Sequence, residues 1–185
     1  MMNKNDTSNL LERLSRVLQN DAHSKGLKPT QWAAIRYLAQ ANRFSRNPKG
    51  LTAFLGMTKG TVSQTLNALE RKGLIKKNLN PLDRRNVQLE LTTTARKLLK
   101  EDPIHSISKL VSDLDEQTST AIQSGLKSLL QELLKQRNGK TFDMCNTCVH
   151  FQADVDEGNP HRCALLKVPL SVEDSIQICI ESQVA

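Results

Sequence analysis

The chain has 185 residues, enough for one domain of ordinary size plus a small appendage. Hydrophobic residues make up 38% and aromatic residues 3%, so the core must be aliphatic, with Trp32 and Tyr37 as its largest pieces. The formal net charge is +7, the start from Met1 to Ser8 is polar, and no apolar run approaches the length of a membrane span. These features exclude a membrane-spanning helix and set the expectation of a soluble, cytoplasmic protein.

Apolar residues recur at helical spacing through Leu10, Leu11, Leu14, Val17 and Leu18, so a first helix is expected from about Thr7 to Asn20. A second is expected over Thr30 to Gln40 and a short third over Pro48 to Leu55. Gly56-Met57 then reads as a tight turn of the kind that joins two helices at a steep angle. A fourth helix follows, from Thr58 to Lys72, with the Thr58 hydroxyl capping an orphan amide of its first turn. Val62, Leu66 and Leu69 form its buried stripe, and Gly73 stops it. The outward face carries Lys59, Thr61, Ser63, Gln64, Asn67 and Arg71, with Glu70 the one acid. A cation, hydroxyls and amides are the groups that reach base edges and phosphate oxygens in a major groove.

Two alternating segments come next, Leu74 to Leu79 and Val87 to Leu91, with Leu74, Val87, Leu89 and Leu91 available for burial. Between them Asn80-Pro81-Leu82-Asp83-Arg84-Arg85-Asn86 is a loop rich in turn formers. The adjacent Arg84 and Arg85 suit a narrow minor groove, where negative potential is concentrated. Asp83 is read as the acid that holds one of them in place. From Arg43 to Arg85 ten Lys or Arg stand against Glu70 and Asp83, a larger positive excess than the whole chain carries. The basic charge is therefore local, as expected of a phosphate-binding surface.

Beyond the ribbon, helices are expected over Thr93 to Lys100, Ile104 to Leu110 and Asp115 to Gln136, with Pro103 interrupting the run. Ile122, Leu126, Leu129, Leu130, Leu133 and Leu134 form an apolar stripe on the last. That stripe and the N-terminal one either pair with a second copy or fill the core of a monomer. After Asn138-Gly139 the chain turns acidic, with seven Asp or Glu from Asp143 to Glu181 against Arg162 and Lys167.

This tail holds all four cysteines, Cys145, Cys148, Cys163 and Cys179, in the pattern C-x2-C-x14-C-x15-C. Four thiolates complete a tetrahedral zinc site or ligate an iron–sulfur cluster, and one close pair followed by two singles suits either. Disulfides are not expected in a reducing compartment. His150 and His161 are read as surface or supporting groups. No catalytic arrangement of Ser, His, Asp or Cys stands at a recognisable spacing, and there is no glycine-rich phosphate loop, so no enzyme is expected.

Residues from about Leu27 to Leu99 resemble the winged helix-turn-helix core of the MarR family, the multiple antibiotic resistance regulators. The resemblance rests on T-K-G-T-V-S-Q-T-L-N-A-L-E-R-K-G-L-I from Thr58 to Ile75 and D-R-R-x5-L-T from Asp83 to Thr92. It implies a mainly α fold with a small β-ribbon, and homodimers whose terminal helices interlock. Recognition helices then enter successive major grooves of a pseudo-palindromic operator, and wings reach the flanking minor grooves. On that pattern Lys59, Thr61, Ser63 and Gln64 match contacting positions, and either Arg84 or Arg85 matches the wing arginine. A small-molecule effector is the family's usual input.

Four parts follow: 1–26 an N-terminal dimerisation helix, 27–99 the DNA-binding domain, 100–138 C-terminal dimerisation helices, and 139–185 a metal- or cluster-binding segment. The leading expectation is a dimeric repressor whose DNA affinity responds to the cysteine centre, through the dimerising helix to which it is joined. The second is a winged-helix protein-interaction or electron-transfer module with a structural zinc site.

Overall fold

The structure, a computed structural model, describes residues 4–23, 26–79, 87–155 and 160–183. In chain order these form α1 (Lys4–His23), α2 (Pro29–Gln40), α3 (Pro48–Leu55), α4 (Lys59–Arg71), β1 (Ile75–Leu79), β2 (Val87–Leu91), α5 (Thr93–Leu99), α6 (Ile104–Ser112) and α7 (Glu116–Gln136). The tail adds a 3-10 turn (Cys145–Thr147), β3 (Phe151–Ala153), β4 (His161–Cys163), β5 (Val168–Leu170) and α8 (Val172–Ser175). β1 and β2 pair antiparallel as a ribbon, and β3-β4-β5 form a separate antiparallel sheet. The fold is mainly helical with small sheets, as the sequence implies.

Local chemistry sets the helix ends. Pro29 and Pro48 stand in first turns, where a missing amide hydrogen costs nothing. The Asn47 side chain accepts from Gly50 N at 2.8 Å, and Thr58 Oγ1 accepts from Thr61 N at 3.2 Å. Gly73 (φ +66°) makes the left-handed exit of α4 that other residues adopt at a cost. Gly50 has a different reason. A Cβ there would fall against the Tyr37 hydroxyl and the Ser45 carbonyl, which are themselves bonded at 2.7 Å.

The core sits between α2, α4 and the ribbon: Trp32, Ile35, Tyr37, Leu38, Val62, Leu66, Leu69, Leu74, Ile75, Leu89 and Leu91 are buried. The first strand differs from expectation in register. Leu74 is buried from the exit of α4, and β1 begins at Ile75, whose partner is Leu91. Leu66 is 2% exposed, so Leu66→Ala is expected to cost about 2–5 kcal/mol by loss of transfer energy and cavity formation. Urea titration reads this as a lower midpoint at unchanged slope. A shift below about 0.5 kcal/mol would place Leu66 outside the core.

Arg36 of α2 forms a two-pronged pair with Asp102, ahead of α6, at 2.6 and 2.5 Å. Burial pushes the Asp102 carboxyl up, but the Arg36 bonds and the Ile104 amide outweigh it and hold the group below its ordinary range. α1 and α7, in contrast, leave their apolar stripes in the open. Leu10, Leu14 and Val17, and Ile122, Leu126, Leu129, Leu130 and Leu133, are all exposed in the single chain. Core packing of a monomer is therefore not how these stripes are covered.

The tail folds back on the helical core. Phe142 and Ile180 belong to the same buried cluster as Trp32 and Leu38. Ile178 bridges the end of α2, with Ile178 N donating to Gln40 O and Asn42 N to Ile178 O, both at 3.0 Å. Phe142 also closes an aromatic trio with Tyr37 and Phe54, the ring centroids 6.1 and 5.2 Å away.

Candidate nucleic-acid interface and cysteine centre

α4 separates its two faces as its apolar period requires. Val62, Thr65, Leu66 and Leu69 are buried, while Lys59, Thr61, Ser63, Gln64, Asn67 and Arg71 are all exposed. Thr61 is partly committed at the cap, its hydroxyl 2.9 Å from that of Thr58. Asn67 Oδ1 accepts from Lys77 Nζ at 2.6 Å, so its amide hydrogens are what it offers outward. The same Lys77 pairs with Glu70 at 2.8 Å and offsets the acid on this helix.

A concave face of about 660 Å³ opens between α3, α4 and the ribbon, with Lys49, Lys59 and Lys77 on its walls beside Ser63 and Val87. Three ammonium groups around one concavity focus positive potential where a phosphate backbone would lie. Lys49 was not singled out in the sequence, because its helix is too short to show a polar face by period. Its place beside Lys59 is a tertiary fact.

The ribbon pairs Ile75 with Leu91 through to Leu79 with Val87. Asp83, Arg84 and Arg85 lie outside the described residues. β2 is anchored at its base by Leu89 N, which donates to Arg46 O at 2.7 Å, and by Gln88 Nε2, which reaches Arg43 O at 3.3 Å.

Cys145, Cys148, Cys163 and Cys179 come together from four separate places in the tail and line one cavity of about 10 Å³, the room of roughly one water or ion. Each sulfur accepts a polar hydrogen. Asn42 Nδ2 donates to Cys145 Sγ at 3.1 Å, Gln183 N to Cys148 Sγ at 3.4 Å, and Leu166 N to Cys163 Sγ at 3.4 Å. Cys179 accepts from Cys145 and from the Glu181 amide, and the Ser45 and Asn42 side chains also face it.

The bond from Cys145 holds the Cys179 thiol well below its ordinary range, to about 6, in spite of burial. Cys145, as donor in that bond and buried, is pushed up. Among the described residues, no group of three or more His, Cys, Asp or Glu side chains is arranged to hold a metal ion as it stands. The residue types are nevertheless those that zinc takes: four cysteine sulfurs, each accepting a hydrogen bond of the kind that steadies a metal-bound thiolate. All four cysteines are free.

Sequence reasoning missed Asn42 and Ser45, both fully buried polar residues of the α2–α3 loop that touch this centre. The tail follows α7 in the chain, but it packs on α2 and the loop after it.

The MarR family model matches residues 25–86, the stretch that holds the helix-turn-helix and most of the wing. The transcriptional repressor MprA of Escherichia coli K12 is 27% identical over 132 residues, 70% of each chain. Among solved structures, FabT of Streptococcus pneumoniae in complex with DNA has a TM-score of 0.59 at 26% identity, covering 72% of this chain and 98% of that one. The S. aureus MepR–DNA complex has a TM-score of 0.57 at 27% identity, covering 68% and 96%. Regulators of this family bind DNA and are not enzymes, and no helix among the described residues is long and apolar enough to cross a membrane. The matched segment, the exposed polar face of α4 and the fold shared with two DNA-bound regulators make this chain similar, over its winged-helix part, to MarR-type regulators of transcription.

Proposed function

We propose that the protein is a cytoplasmic homodimeric repressor whose DNA affinity responds to a metal held by its four C-terminal cysteines. The observation that carries the DNA-contact reading is the outward face of α4, exposed from Lys59 to Arg71 above a concavity walled by lysines. Lys59, Thr61, Ser63, Gln64, Asn67 and Arg71 enter the major groove. Arg84 and Arg85, with Asp83 in support, reach the flanking minor groove. Dimerisation is supported by the exposed stripes of α1 and α7, and repression by the repressor role of the E. coli relative. A groove of about 390 Å³ among Leu11, Leu14, Leu18, Arg36 and Ile104 gives a small-molecule effector a place beside those stripes.

Gln64 is the residue on this face best suited to read a base, since a side-chain amide pairs with adenine through two hydrogen bonds. Gln64→Ala is expected to flatten discrimination at one base pair by about 1–3 kcal/mol. Affinities for duplexes permuted at that position measure it. An equal loss on every duplex would make Gln64 a phosphate contact instead.

The cysteine centre is read as a single zinc, which four thiolates close as a tetrahedral site. Stripping zinc from the folded dimer is expected to weaken DNA binding by about tenfold, within the usual range of coupling between two sites. Unchanged affinity in an intact dimer would leave the zinc with a structural role alone.

A further inference from the structure

We propose that the cysteine centre acts on the DNA-contacting face of its own subunit, through Asn42 and Ser45 in the α2–α3 loop, and not by respacing the two halves of the dimer. This rests on the reading that DNA affinity responds to the centre, and it names the route of that response.

The route is a chain of short bonds. Asn42 faces both ways: its Nδ2 donates to Cys145 Sγ at 3.1 Å, and its Oδ1 accepts from Ser45 N at 3.0 Å. Ser45 Oγ in turn accepts from Ile180 N at 2.9 Å, next to Cys179. Both loop residues are fully buried, so neither side chain can replace a lost partner with bulk water. Arg46 follows directly. It accepts from Leu89 N of β2 through its carbonyl, and its guanidinium is spread over Ala41 O and Gln177 Oε1 at 2.7 and 3.3 Å. Asn47 then caps α3, the helix that carries Lys49, and Lys49 itself reaches back to the tail at Glu181, 3.5 Å away.

One seven-residue loop, 41–47, thus holds the base of the wing on one side and the start of the helix-turn-helix on the other. The cysteine centre grips that loop at two points. Metal-bound thiolates are fixed acceptors, and fixed acceptors hold Asn42 and the 45–46 backbone in one place. Metal loss releases the sulfurs, the loop gains freedom, and β2 and the α3 cap lose their common anchor. α7 is joined to the tail by chain continuity through Gly139 and supports no comparable run of buried bonds among the described residues.

The test combines two variants with hydrogen exchange, using the full chain and a duplex selected on it from a randomised pool. In the unmodified protein, zinc removal should weaken binding by about tenfold. In Ser45→Ala and in Asn42→Ala, which keep all four cysteines but bind zinc more weakly through the lost thiolate support, zinc supplied at saturation should still fill one site per chain, while its removal should change DNA affinity by less than about twofold. Full zinc dependence retained in both variants would overturn the route and leave the responsive centre standing. An unmodified protein that ignores zinc removal would sink the responsive centre itself. Exchange on the unmodified chain decides independently of either variant. Zinc removal should speed exchange at the Ser45 and Leu89 amides by about tenfold or more and leave α7 unchanged. Acceleration confined to α7 would contradict the proposal.

Discussion

Leu126→Glu combined with Leu130→Glu is expected to leave a folded monomer that binds DNA at least about a hundredfold more weakly than the unmodified chain. The argument begins with where these leucines are. Leu126 is 46% and Leu130 56% exposed in the single chain, so a carboxylate at either position meets water and costs the subunit little. In the proposed dimer the same positions would be covered. Each leucine removed forfeits about 1.5–3 kcal/mol of burial, twice over by symmetry, and a buried unpaired charge adds to the loss. Once the dimer parts, each recognition helix binds its half-site alone and the gain from linkage disappears. Sedimentation and anisotropy on the same samples measure both halves. A double variant that remains a dimer would move the interface away from α7.

Cys163→Ser is expected to release the zinc and loosen the tail sheet. Cys163 lies on the central strand of that sheet, paired with Phe151 on one side and Val168 on the other. Strands of three residues cannot hold one another by hydrogen bonding and a small apolar face alone. On the proposed zinc site a four-ligand metal would supply what they lack, because ligands scattered in the unfolded chain gather only in the folded one. Serine is a poor zinc ligand at neutral pH, and three remaining sulfurs leave the site open. Metal analysis of protein purified without oxygen should show one zinc per chain before the change and well under one after it, with no colour in either. Full zinc retained in the variant would remove Cys163 from the ligand set. Iron with acid-labile sulfide in the unmodified protein would replace the zinc with a cluster.

The parts of this molecule that were legible in the sequence are those whose signal is local. α4 declared itself through the four- and three-residue steps of Val62, Leu66 and Leu69, and through Thr58 and Gly73 at its ends. The same period assigned its outward residues. β2 was readable from the alternation of Leu89 and Leu91. β1 was harder, since Leu74 and Ile75 are both apolar and only the helix exit decides which of them begins the strand. The tail sheet could not be read at all, as three residues are too few to show alternation. Asn42 and Ser45 carry no local sign of their role either. Their partners lie 103 and 135 positions along the chain, and a buried polar residue is explained only by the atoms that satisfy it.

The packing of the tail has no local signal in the sequence either. A segment that follows α7 is naturally taken to act on α7. The apolar residues Phe142, Ile178 and Ile180 instead carry it back onto α2, Tyr37 and the loop that supports the wing. The cysteines then lie against the loop that joins α2 to α3, where Arg46 reaches Gln177 of the tail and Lys49, at the start of α3, reaches Glu181.

The measurement that tests the central claim most directly is the salt dependence of binding to the selected duplex, with zinc-loaded protein. A dimer that places α4 in the major groove and arginines in the minor groove displaces several phosphate counterions per subunit. The logarithm of affinity should then fall against the logarithm of salt with a slope on the order of −5 or steeper. A slope near zero would contradict the account, because no surface built from Lys49, Lys59, Arg71, Lys77, Arg84 and Arg85 can grip DNA without releasing those ions.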